Sequence, residues 1–175
     1  MFNFLLNEIK KMEGNVLTIG INNKLIDGLN KNKKVSVYEI KPFEKFKFFQ
    51  KKKMNMSNGQ TINIKKLSKY FKKNSIDYII CDYEQIIKYY KYVFKDSIYL
   101  NNKKIFFYAS SDIDYEYILK YKRYNSIIDI KEYDKNNLVI VDNKNSKTNK
   151  FKNIIFFIND TFNNFLDFIS NILVG

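Results

Sequence analysis

The chain has 175 residues, 45% of them apolar and 17% aromatic, which suffices for one folded domain that buries roughly two thirds of its unfolded surface. It has no histidine and one cysteine, Cys81, so the usual neutral-pH proton shuttle, the commonest zinc ligand, disulfide frameworks, thiolate clusters and iron–sulfur sites are all excluded, and no metal is expected. The formal charge of +13 is local: residues 31–73 hold 14 lysines against Glu39 and Glu44, whereas the other 132 residues carry 17 basic and 16 acidic groups.

Phe2, Leu5, Leu6, Ile9 and Met12 recur at spacings of three and four, which predicts an amphipathic helix over 2–12 with Gly14 as its left-handed stop. Asn15 to Ile21 is a short, nearly continuous apolar run and reads as a strand covered on both faces. Leu25, Ile26 and Leu29 make a brief helical stripe, and Val35 to Ile40 a second strand closed by Pro42, which cannot donate to a ladder. From Phe43 to Asn58 periodicity is lost and a loop is expected, ending in the turn signal Asn58-Gly59.

Thr61 to Ile64 predicts a short strand, Lys65 to Lys73 a short helix, and Asp77 to Asp82 a third apolar strand. Ile86, Ile87, Tyr90, Val93 and Phe94 form a helical stripe, Lys104 to Ala109 a strand, and Ile113, Tyr117, Ile118 and Tyr121 another helix. Segments 126–133 and 138–142 flank Asp134-Lys135-Asn136-Asn137 and read as an antiparallel hairpin. The fold class is therefore α/β: a three-layer, Rossmann-like sandwich over 1–142, mostly parallel with an antiparallel edge hairpin.

A polar linker, 143–150, precedes a tail in which Phe151, Ile155, Ile158, Phe162, Phe165, Ile169 and Ile172 recur at intervals of four and three. An amphipathic helix over 151–175 is expected to pack on the same domain, with a homodimer through 151–174 as the alternative. Its polar face carries Asn159, Asp160, Asn163, Asn164, Asp167 and Asn171, which disfavours anionic lipid. No run reaches the ~18 to 20 apolar residues of a membrane span, and the opening residues lack a secretory pattern, so a cytoplasmic location is expected.

The concentrated lysines attract phosphate, anionic headgroups or an acidic protein face, with a merely solvated face as the alternative. Tyr89, Tyr90 and Tyr92 interleave with Lys88, Lys91 and Lys95, and Tyr70-Phe71 lies among Lys69, Lys72 and Lys73. Such rings can stack bases, or simply form half-buried helix faces. Asp112, Asp114 and Glu116 read as a helix start rather than a cation site. Cys81, inside an apolar strand, is expected to be buried and inert.

Across about residues 2–142 the order of elements resembles the class I S-adenosylmethionine-dependent methyltransferase fold. In that family the first strand ends in a glycine-rich loop, the second in an acid that binds the ribose hydroxyls, the fourth near catalytic or adenine-contacting residues, and a late hairpin closes the sheet. The resemblance implies S-adenosylmethionine as cofactor, with Gly20, Glu39 and Asp82 as the residues that would contact it, and names no catalytic base. The chain departs from the family's loop, which has an acid followed by alternating glycines: Thr18 stands in the acid's place, Gly20 is the one glycine, and Asn22, Asn23 and Lys24 follow. No G-x-G-x-x-G follows any strand, which argues against a dinucleotide site. The reading is a methyltransferase-like protein with weakened or lost cofactor binding. The alternative is a non-catalytic module whose segment 31–73 docks RNA or another anionic surface, with Lys51, Lys52, Lys53, Lys65 and Lys66 as the anion-binding residues.

Overall fold

The computed structural model describes residues 2–41, 53–56, 61–110, 113, 128–133 and 138–143. The elements run α1 (Phe2–Lys11), β1 (Gly14–Ile19), α2 (Asn23–Lys31), β2 (Val35–Lys41), β3 (Lys53–Met56), β4 (Thr61–Asn63), a 3-10 segment (Ile64–Lys69), β5 (Ile76–Asp82), α3 (Tyr83–Ile86), a 3-10 turn (Ile87–Tyr89), α4 (Tyr90–Leu100), β6 (Asn101–Tyr108), β7 (Ile128–Tyr133) and β8 (Leu138–Asn143). The expected helix from Ile113 to Tyr121, the linker and the tail helix lie outside the described residues, apart from Ile113 itself and Asn143, which ends β8.

The strands form one sheet in the order β4-β3-β2-β1-β5-β6-β8-β7. Its centre is parallel: β1 pairs with β2 on one side and β5 on the other, and β5 pairs with β6. Both margins are antiparallel, β3 and β4 beyond β2, and β8 between β6 and β7. This mixed α/β architecture is compatible with a Rossmann-like fold, and the hairpin 128–143 pairs as its sequence indicated.

Helices on both faces explain why the central strands are apolar runs rather than alternations. On one face Leu5 and Ile9 of α1 and Leu25 and Leu29 of α2 pack against Val16, Ile80 and Phe106. On the other, Ile64 and Leu67 of the 3-10 segment and Val93, Phe94 and Ile98 of α4 pack against Leu17, Ile79, Cys81 and Phe107. Gly14, expected as the stop of the first helix, instead opens β1 after α1 has ended at Lys11: its φ is +109, where side chains are strained, and its amide donates to the Lys34 carbonyl at 3.0 Å. Asn32 ties this layer together: its Nδ2 donates to the carbonyls of Ile9 and Met12 at 2.8 and 2.9 Å, and its Oδ1 accepts from the Lys34 amide at 3.0 Å.

Three further expectations need correction. Strand β3 lies within the stretch read as loop, where Lys-Met-Asn-Met alternates too briefly to register. The helix expected over 65–73 is a 3-10 segment ending at Lys69, with Lys66 at φ −142 and ψ 47, outside the helical region. The stripe from Ile86 to Phe94 is also not one helix: non-helical backbone at Ile86 and Tyr89 divides it, so Ile86 and Tyr90 face the sheet while Ile87 is turned out, 56% exposed.

Candidate ligand crevice

In an open α/β sheet, ligands sit at the carboxyl ends of adjacent strands whose connections leave in opposite directions. Here those strands are β1 and β5. The chain leaves β1 through α2 on one face and leaves β5 through α3 and α4 on the other. Gly20 immediately follows β1, with φ +67, and its amide donates to the Ile40 carbonyl at 2.9 Å. Asp82 ends β5, and its Cβ lies 3.9 Å from where a Cβ on Gly20 would stand. Glu39 is in register with Thr18, on the far side of β1 from β5. The structure therefore brings Gly20 and Asp82 together and sets Glu39 two strands from Asp82, roughly 10 Å at ordinary strand spacing.

Each carboxylate already has local work. The Asp82 Oδ1 accepts from the Glu84 amide at 3.0 Å and so caps α3, and burial raises its carboxyl above the usual aspartate range. Glu39 is ion-paired with Lys41 of its own strand at 3.4 Å. Glu84 reaches across to the end of β6, where its Oε1 accepts from the amide and the hydroxyl of Ser110.

Sequence reading missed three residues that shape the crevice. Asn22 caps α2 by accepting from the Leu25 amide at 3.1 Å, a signal legible as an asparagine just before an apolar stripe. Tyr108, in register with Asp82, accepts from the Asn22 amide at 3.2 Å; burial, aided by the nearby Asp82 charge, pushes its hydroxyl well above the ordinary tyrosine range. Gln85 is the third. A Cβ on Gly20 would meet the Gln85 Cβ at 2.7 Å and Cγ at 2.8 Å, so the space over the glycine holds a side chain of the protein itself.

Thr18 lies near the end of β1, in register with Glu39 of β2 and Ile80 of β5. It is fully buried, and its hydroxyl has no hydrogen-bond partner among the described residues. An unpartnered buried hydroxyl is destabilising, whereas valine matches its shape. Thr18→Val is therefore expected to raise the unfolding free energy by about 1 kcal/mol, read as a higher urea midpoint; a lower midpoint would mean the hydroxyl is satisfied.

The residues present do not fit S-adenosylmethionine well. A glycine after the first strand serves a cofactor only if the backbone can be approached, and Gln85 covers that approach. Among the described residues no group of three or more His, Cys, Asp or Glu could hold a metal, and Asp112, Asp114 and Glu116 lie outside them. Cys81 is fully buried, and desolvation pushes its thiol far up. No helix among the described residues is long and apolar enough to cross a membrane.

Of the candidate anion-binding residues, Lys51 and Lys52 lie outside the described residues, and Lys53 opens β3. Lys65 and Lys66 sit on the 3-10 segment; the Lys65 Nζ lies 5.2 Å from the ring centre of Tyr89 and 4.7 Å from that of Tyr92. No protein-family model matches the chain, and no curated protein does.

Proposed function

We propose that the protein is a methyltransferase-like α/β domain in which S-adenosylmethionine binding is weakened or lost. Support for the family comes from the parallel β2-β1-β5-β6 centre, with an acid two residues before the end of β2, another at the end of β5, and a late hairpin completing the sheet. The observation that carries the loss is Gln85 lying against Gly20, where the cofactor would need bare backbone. Glu39 paired with Lys41, and Asp82 used as a helix cap, fit the same reading. Tyr108 is held protonated and engaged, and no residue of the crevice is assigned as a base.

Calorimetric titration tests this. No heat is expected when S-adenosylmethionine is added up to millimolar concentration. Micromolar binding that disappears in Glu39→Ala would overturn the loss and make the crevice a working cofactor site.

A further inference from the structure

The 3-10 segment and the stretch after it run alongside α4 for most of its length. Lys65 lies over Tyr89 and Tyr92 at one end, the Ser68 amide donates to Asp96 Oδ2 at 3.0 Å in the middle, and the Asn74 amide donates to the Tyr99 carbonyl at 3.3 Å at the other end. Along α4 the outward positions Tyr92, Lys95 and Tyr99 follow at three- and four-residue spacing. Tyr92 is 49% and Tyr99 44% exposed, large values for rings in a folded domain. Lys66, Lys69, Lys72 and Lys73 follow Lys65 along this stretch, all exposed, and none is ion-paired among the described residues. The one acid of α4, Asp96, is buried and accepts from the Ser68 amide.

A second lysine-rich place gives the contrast. An open groove of about 700 Å³ between α1 and α2 is lined by Lys10, Lys24, Lys31, Lys33 and Lys34, and none of the exposed rings lies there. Among the described residues positive charge is thus found on two surfaces, but exposed rings and charge together on one. Charge alone attracts any polyanion; exposed aromatic rings among lysines suit bases that are free to stack while phosphates meet ammonium groups. A duplex hides its base faces, so the partner class is a single strand.

We propose that the face formed by residues 65–73 and α4 binds single-stranded nucleic acid, with Tyr92 and Tyr99 stacking bases and Lys65, Lys69, Lys72 and Lys73 contacting phosphates. This does not depend on the crevice at Gly20.

The test uses a labelled single-stranded RNA oligonucleotide and the full chain, with binding read by fluorescence anisotropy across a salt series. Tyr92→Ala with Tyr99→Ala is expected to weaken binding by about five- to a hundredfold per ring while leaving the salt slope unchanged. Glutamine at Lys65, Lys69, Lys72 and Lys73 should weaken binding and flatten the slope of log affinity against log salt by about 0.7 for each phosphate that is no longer neutralised. The matched control, glutamine at Lys10, Lys24, Lys31 and Lys33, should do much less. Overturning results are no RNA binding at low salt, equal losses in the two lysine variants, unchanged affinity in the tyrosine variant, equal affinity for a duplex of the same sequence, or displacement of the RNA by anionic vesicles. Circular dichroism and urea midpoints of all three variants check that the fold is kept.

Discussion

Phe107→Ala is expected to lower the unfolding free energy by about 3–5 kcal/mol, a large share of the roughly 5–15 kcal/mol that holds a domain of this kind together. Phe107 is fully buried on β6, edge-on to Tyr90 with centroids 5.6 Å apart and tilted against Phe94 at 5.9 Å. Tyr90 in turn meets Tyr83 at 4.7 Å and Phe94 at 6.1 Å, so four rings lock α3 and α4 onto the sheet. Truncation removes the ring's transfer energy and leaves a cavity the neighbouring rings cannot close. Tyr92→Ala, two residues from Tyr90 on the same helix, should change stability by less than about 0.5 kcal/mol because its ring is half exposed. Urea denaturation reads both. Similar losses at Phe107 and Tyr92 would contradict the inward and outward division on which the nucleic-acid surface rests.

That division also shows what sequence alone can resolve. Tyr89, Tyr90 and Tyr92 all interleave with lysines, and composition treats them alike. In the structure Tyr90 is 3% exposed, Tyr89 packs partly on the core, and Tyr92 stands out. The helical break at Ile86 and Tyr89 shifts the phase of the stripe, and no local motif announces that break. By contrast β1, β5 and β6 were legible because burial on both faces leaves near-continuous apolar runs, a pattern that survives without knowledge of neighbours. Strand β6 nonetheless begins at Asn101, earlier than the apolar run indicates. Asn101 is a buried polar residue whose Nδ2 donates to the carbonyls of Asp77 and Lys104 at 3.0 and 2.9 Å, and Asn-Asn-Lys reads as loop without those partners.

At the crevice the same limit holds. Gly20, Glu39 and Asp82 could be placed at strand ends because strand ends follow from apolar runs. Tyr108 and Gln85 could not, since each acts through a partner 65 or more positions away in the chain: Asn22 for one, Gly20 for the other. The order β2-β1-β5, which makes the crevice, is equally non-local.

Gly20→Ala is expected to destabilise the protein by about 2–5 kcal/mol, and the physical content lies in how that loss divides. A left-handed backbone costs a residue with a Cβ about 1–2 kcal/mol wherever it occurs, and φ at Gly20 is +67. The added methyl would also stand 2.7 Å from the Gln85 Cβ, an overlap of the kind that costs about 1–3 kcal/mol when the core cannot yield. Only the second part depends on Gln85. In a double-mutant cycle, Gln85→Gly should therefore recover about 1 kcal/mol or more of the loss in Gly20→Ala, although Gln85→Gly by itself weakens α3 by about 1 kcal/mol. If the two changes are additive, the space above Gly20 is open, the glycine is again free to receive a ligand, and the proposed loss of cofactor binding is left without its central observation.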